Sequence, residues 1–159
     1  MKPRLAQALQ AVAALGSFAA AGAHGLVTGE HFDEWWGYGV FFIVAAFAQT
    51  ALGILLLAMG PPTGSVPAAY SEADWRRLQS RVYVAGIVGN GAVIALYVVT
   101  RTVGIPLFGP EAGEVEDIGT VDLVSKVMEV LAIVAMGWLW VSMRGGTVEP
   151  LMPQGEQVP

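Results

Sequence analysis

The stretch Asp122-Leu-Val-Ser-Lys126-Val-Met-Glu129 opens an apolar run that extends to Met143. Apart from these three ionisable residues, the run is long and hydrophobic enough to cross a bilayer. A transmembrane helix needs about 20 mostly apolar residues, and an Asp or Lys at its centre costs about 2.5–3.5 kcal/mol on insertion scales. At the helical period, Asp122, Lys126 and Glu129 fall on one face. Because lipid cannot satisfy charged groups, this face is predicted to point into protein or into a wet cavity.

The composition indicates an integral membrane protein with the lipid bilayer as its surroundings. The 159 residues are 55% hydrophobic and 13% charged, and that charged share is about half the roughly 25% of a soluble domain. The net charge of −5 argues against nucleic acid as a partner, since nucleic acid needs a basic surface. The chain has no cysteine, so it can form no disulfide or thiolate metal site. Hydrolase elbows, His-Glu-x-x-His and Walker loops are missing, so an enzymatic role is not favoured.

Four apolar segments predict an all-α, four-helix transmembrane bundle with short connections. The predicted helices cover residues 5–26, 29–60, 72–103 and 119–143 within a single domain of residues 1–144. Thr28 is the expected N-cap of the second helix. Residues 145–159 are rich in Gly, Pro and Gln and are predicted to form a disordered cytoplasmic tail.

Charge asymmetry predicts the orientation of the bundle in the inner membrane. Basic residues precede the first helix, lie between the second and third, and follow the fourth, whereas the other two connections are acidic. Under the positive-inside rule, both termini are therefore cytoplasmic and the acidic connections are extracytoplasmic. The basic set is Lys2, Arg4, Arg76, Arg77, Arg81 and Arg144, and the acidic set is Glu30, Asp33, Glu34, Glu111, Glu114, Glu116 and Asp117.

The first segment also has features of a secretory signal. Two basic residues, an Ala-rich run and Ala21-Gly22-Ala23 fit a signal peptide of residues 1–23 with an A-x-A cleavage site. The run is longer than the usual apolar region of a signal peptide. Its removal would also leave three helices with no fourth helix to cover their charged face. Retention of the helix is therefore the favoured interpretation.

Polar residues recur at helical spacing in all four predicted helices. Steps of seven link them in the first, third and fourth helices, and five full turns link His31 to Gln49 in the second. Such stripes either bind helices together through hydrogen bonds and ion pairs or line a path for ions or protons. The candidate lining residues are Gln49, Asn90, Tyr97, Arg101, Lys126 and Glu129. The rise per residue places Gln49, Asn90 and Glu129 near mid-membrane and the others nearer the outer boundary.

The two histidines, His24 and His31, are expected at the outer ends of adjacent helices. With Glu34 one turn after His31, and with Asp122, they would form a site for a transition metal such as Zn, Cu or Fe. The favoured function is a membrane protein whose outward-facing His/carboxylate cluster binds a metal ion or another cation. A link to Glu129 would allow ion or proton handling.

Two other functions stay open at this point. The imidazoles of neighbouring helices could clamp one b-type haem, with Arg101 on a propionate, in an electron-transfer subunit. Alternatively, the Gly- and Ala-rich first and third helices fit a non-catalytic subunit that packs into a homo-oligomer or a larger membrane complex.

Two stretches resemble a family of small bacterial four-helix membrane proteins. They are Glu30-His-Phe-Asp-Glu-Trp-Trp-Gly-Tyr-Gly-Val-Phe-Phe42 and Thr100-Arg-Thr-Val-Gly-Ile-Pro-Leu-Phe-Gly-Pro110. The likeness extends over most of residues 5–143 and implies a recurring four-helix design. It implies no activity, cofactor or site residue.

Overall fold

The computed structural model describes residues 1–104, 109–110 and 113–144, so the predicted disordered tail lies outside the described residues. Within that part the fold is four α-helices and no strand, which confirms the predicted all-α bundle. The helices are α1 (Pro3–Glu34), α2 (Trp36–Met59), α3 (Glu72–Thr102) and α4 (Thr120–Arg144). All four are long and apolar enough to cross a membrane.

The first helix is longer than its sequence predicts. We expected a break near residue 26 and a new helix capped by Thr28, but α1 continues to Glu34. The Thr28 hydroxyl donates instead to the His24 carbonyl, at 2.8 Å, within the same helix. The helix ends at Trp35, whose backbone is extended (φ −166°, ψ 136°). His31 and Glu34 therefore belong to α1, and their assignment to the second helix was wrong.

Helix α1 is the centre of the packing. It packs against α2 on one side and α4 on the other, and α4 in turn packs against α3. The buried face of α1 consists mostly of Ala, with Gly16 facing α4. A Cβ at Gly16 would lie 2.9 Å from the Met128 carbonyl oxygen. Small side chains thus allow the α1 and α4 backbones to approach closely, as in many membrane helix pairs.

Helices α2 and α3 make few direct contacts. A groove of about 290 Å³ separates them, and its walls are mainly small or aliphatic side chains, among them Ala48, Leu52 and Gly89. The outward faces of both helices also carry large exposed apolar residues such as Phe47 and Val88. This side of the bundle is therefore open and apolar.

A polar contact joins α1, α2 and α3 near the end of the bundle where the chain begins. Tyr83 is fully buried, and its hydroxyl donates to Gln10 Oε1 at 2.8 Å. Gln10 Nε2 donates in turn to the Leu56 carbonyl at 2.6 Å. At the start of α3, Ser71 is the N-cap, and its Oγ accepts from the Asp74 backbone N–H.

Paired glycine substitutions test the close approach of α1 and α4. Gly22 has open space where its Cβ would be, so Gly22→Ala should stabilise the helix by about 0.5–1 kcal/mol. Gly16→Ala should instead destabilise the protein by about 1–3 kcal/mol, because the methyl group overlaps the α4 backbone. Thermal unfolding in detergent, followed by circular dichroism, measures both. Equal stabilisation by the two variants would contradict the packing described above.

Candidate functional site

The centre of the site is the Glu129 carboxylate, which is 0% exposed. Its Oε1 atom lies 2.8 Å from His24 Nε2 and accepts a hydrogen bond from Gln49 Nε2 at 3.0 Å. Its Oε2 atom accepts from Lys126 Nζ at 2.7 Å. A buried carboxylate is expensive unless it is paired and hydrogen-bonded, and here both oxygens are satisfied.

The third helix joins this arrangement through Asn90. Gln49 Nε2 also approaches Asn90 Oδ1, at 3.1 Å, and Asn90 Nδ2 donates to the Gly86 carbonyl at 2.8 Å. Every helix thus contributes at least one side chain. We call these five residues the Glu129 network: His24, Gln49, Asn90, Lys126 and Glu129.

A second charged group lies toward the end of the bundle where α3 ends and α4 begins. Arg101 Nη2 donates to Asp122 Oδ2 at 2.7 Å, and Arg101 Nη1 pairs with Glu116. We call these three residues the Arg101 cluster. The Tyr97 ring contacts both groups, because its centroid lies 5.0 Å from the Arg101 guanidinium carbon and 5.5 Å from Lys126 Nζ. Tyr97 therefore connects the Arg101 cluster to the Glu129 network.

A cavity of about 250 Å³ lies beside these two groups. Its walls are mainly aromatic and aliphatic, and most of its polar members come from the Arg101 cluster and the Glu129 network. The apolar lining residues are Trp35, Tyr38, Phe41, Phe42, Val93, Leu96 and Tyr97, and the polar ones are His24, His31, Thr100, Arg101, Glu116, Asp122 and Lys126. An apolar pocket with a few converging polar groups is typical of a small-molecule site.

The four predicted metal ligands do not converge. His24 is engaged by Glu129 and Asp122 by Arg101, while His31 Nδ1 lies 2.8 Å from the Val27 carbonyl oxygen of its own helix. Glu34 is exposed and is not part of the cavity wall. Across residues 1–104, 109–110 and 113–144, no group of three or more His, Asp or Glu side chains is placed to hold a metal ion. The geometry therefore gives the predicted metal centre no support.

The arrangement of the imidazoles also differs from the one expected for a haem clamp. Both histidines lie on α1, seven residues apart, and both rings pack against Phe42, with centroid distances of 5.4 Å for His24 and 4.0 Å for His31. Side chains seven residues apart on one helix project in the same direction, about 10 Å apart along the axis. The prediction that neighbouring helices supply the two imidazoles was wrong, because α1 carries both.

The structure brings all six predicted lining residues into one connected region. Tyr97, Arg101 and Lys126 line the cavity, and Gln49, Asn90 and Glu129 lie beneath it in the Glu129 network. The predicted separation into two depths differs from the structure, because His24 was placed in the outer level and yet contacts Glu129 directly.

Sequence reasoning missed several residues of the site, of which Glu116 and Phe42 contact predicted site residues directly. Glu116 pairs with Arg101, but the acidic connection offers several carboxylates at similar distance along the chain, so no pattern singles it out. Phe42 contacts both imidazoles. Its position could not be predicted because the turn between α1 and α2 was misplaced.

No protein-family model, curated protein or solved structure matches this chain. The resemblance to small bacterial four-helix membrane proteins therefore stays a prediction, and the geometry of the site is the basis for its interpretation.

Charge-removal variants test whether Glu129 is the counter-ion of Lys126. Glu129→Gln leaves a buried ammonium without its partner and should destabilise the protein by about 3–5 kcal/mol. The double variant Lys126→Met/Glu129→Gln removes both charges and should recover most of that loss. Chemical denaturation in detergent measures the difference.

Glu116→Gln is the matched control for this comparison. Arg101 keeps Asp122 as a partner in that variant, and Glu116 is partly exposed, so the expected cost is about 0–1 kcal/mol. If Glu129→Gln and Glu116→Gln cost the same, the central place given to Glu129 would be lost.

Proposed function

We propose that this chain is an integral membrane protein that exchanges a proton between the cavity and the buried His24–Glu129 pair. The observation that carries the proposal is the 2.8 Å contact between His24 Nε2 and the fully buried Glu129 carboxylate. His24 also lines the cavity, so a proton has a route to the pair that does not cross the apolar core. Imidazole is the side chain best suited to proton exchange near neutral pH.

The balance of charge supports the same function. The Arg101 cluster has one guanidinium and two carboxylates, so its net charge is −1. The Glu129 network has one ammonium and one carboxylate, so it is neutral while His24 is neutral. A proton on His24 makes the summed charge of the Arg101 cluster and the Glu129 network zero. Charges interact strongly where water is scarce, so the proton on His24 decides the summed charge of the whole site.

The proposed orientation places both termini in the cytoplasm and the cavity toward the extracytoplasmic side of the inner membrane. The basic residues at one end of the bundle and the acidic ones at the other support it under the positive-inside rule. The buried Ala face of α1 supports retention of residues 1–23, because cleavage there would remove the helix that α2 and α4 pack against.

Nuclear magnetic resonance of the full chain with labelled histidine tests the proton exchange. The chain has two histidines, so two imidazole signals are expected, and the variants His24→Gln and His31→Gln assign them. Proton exchange at His24 requires both the neutral and the protonated form of its imidazole, so a series of spectra at different pH values should show both forms. Glu129→Gln should alter the transition between them and leave the His31 signal unchanged.

His31→Gln is the control because His31 lines the same cavity, while its Nδ1 contacts the Val27 carbonyl of its own helix and not Glu129. A His24 imidazole that stays in one form over the whole pH range would end the proposal. An equal response of both histidines to Glu129→Gln would show a general effect and would also count against it.

A second candidate function is the binding of a small apolar molecule that carries a hydrogen-bond acceptor. The observation that favours it is Arg101 Nε, a buried donor with no partner in the part of the chain that the structure describes. Buried donors are nearly always satisfied, and Arg101 belongs to the wall of the aromatic-lined cavity. A carbonyl oxygen of a ligand would satisfy it.

Calorimetric titration with acetophenone and ethylbenzene tests this binding. The two probes have nearly the same shape, and only acetophenone carries an acceptor. A hydrogen bond to a charged group contributes about 1.5–3 kcal/mol, so acetophenone should bind about tenfold tighter or better. Arg101→Lys, which keeps the charge but lacks Nε, should abolish the preference. Equal binding of both probes to the unmodified chain, after correction for empty micelles, would refute the candidate.

The function of a packing subunit is favoured by a different observation. The groove between α2 and α3 is mainly apolar. Gly89 is exposed and Gly91 is half-buried, and a Cβ added at either would meet open space. Helices in membranes associate through small residues of this kind. Gln49 and Asn90 of the Glu129 network also line this groove, so a packing partner there would contact the network.

A further inference from the structure

The opposite end of the bundle carries a cleft of about 330 Å³ between the start of α3 and the end of α4. Four arginines line it, together with Ser80, Trp140 and Met143. The arginines are Arg76, Arg77, Arg81 and Arg144. Nothing in the Glu129 network or the Arg101 cluster contributes to this cleft.

The cleft keeps an excess of positive charge. Arg76 pairs with Glu72 at 3.2 Å and Arg77 lies 3.8 Å from Asp74, in both cases between exposed side chains. Arg81 and Arg144 have no carboxylate partner among residues 1–104, 109–110 and 113–144. Four guanidiniums against two carboxylates leave a charge of +2, and exposed pairs of this kind contribute little to stability. The positive charge of the cleft therefore favours the binding of an anion.

One wall of the cleft is fixed by hydrogen bonding and stacking. Trp140 Nε1 donates to Ser80 Oγ at 2.9 Å, which joins α4 to α3. The Arg144 guanidinium stacks over the Trp140 ring, 3.7 Å from its centroid. Arg144 is therefore held at the cleft, whereas an unrestrained arginine would lose conformational freedom on binding.

The surface below the arginines is apolar. Arg77, Arg81, Val84 and Val88 are spaced by four, three and four residues, so they lie on one face of α3. Val84 and Val88 are both exposed. A ligand with a phosphate at the arginines would thus meet an apolar surface in the direction of the bundle centre, which suits an acyl chain and offers nothing to a free ion.

We propose that this cleft binds the phosphate headgroup of an anionic glycerophospholipid, with the acyl chains along the valine face of α3. Guanidinium is the side chain best matched to phosphate oxygens. The inference rests on placement of the four helices in a bilayer and is independent of proton exchange at His24. No residue of the cleft touches the cavity, so the failure of one proposal does not affect the other.

Native mass spectrometry of the full chain in detergent tests the site with two probes, dioleoylphosphatidylglycerol and dioleoylphosphatidylcholine. The unmodified protein should retain the anionic lipid in preference. Basic residues near a membrane surface strengthen the binding of anionic lipid, so Arg81→Gln/Arg144→Gln should weaken that binding about tenfold or more. Arg81→Lys/Arg144→Lys keeps both charges but loses the guanidinium groups and the stacking on Trp140, so it should retain only part of the preference.

Lys2→Gln/Arg4→Gln is the matched control, because it removes two charges near the chain start that do not line the cleft. It should leave the preference unchanged. An equal loss in this control would show general surface attraction and overturn the proposal. So would an undiminished preference in Arg81→Gln/Arg144→Gln, or displacement of the lipid by excess inorganic phosphate, which would indicate a site for the free ion.

Discussion

The structure depends on one buried carboxylate, which side chains of α1, α2 and α4 contact directly and to which Asn90 of α3 is joined through Gln49. Glu129 has no access to solvent, and an ionised group in that position is tolerated only with close partners. Lys126 supplies the charge from the same helix, and His24 and Gln49 supply hydrogen bonds from α1 and α2. A slip of any of these helices by one residue would rotate its polar side chain away. The network therefore fixes the register of the bundle as well as its centre.

Much of this arrangement follows from periodicity. Steps of seven residues place Gln10, Ser17 and His24 on one face of α1, and all three are buried. The same rule works for Tyr83 and Asn90 on α3. Helical periodicity holds whatever the ends of the helix do, so the inward-facing side chains can be predicted even when the boundaries are wrong. The four-helix fold has the same origin in four long apolar segments.

What could not be predicted depends on local choices with small energy differences. Thr28 can cap a helix or bond back to the preceding turn, and here it bonds to His24 within α1. That choice carries His31 onto α1 and removes the opposed imidazoles on which the metal and haem hypotheses depended. The partner of Arg101 is a similar case, because Glu116 lies in an acidic connection whose path the sequence does not specify. Which carboxylate pairs with Arg101 is decided by the path of the connection in the folded protein, and the spacing of residues in the sequence does not give that path.

The connection between the two charged groups gives the site its chemical character. Tyr97 is close to the Arg101 guanidinium on one side and to the Lys126 ammonium on the other. Two cations at one aromatic ring repel each other, and each is held there by carboxylates behind it. Because screening is weak away from water, a change of charge at His24 alters the potential felt by Lys126 and, through it, by Arg101. Arg101 and His24 both line the cavity, so a change of charge at either one alters the field inside it.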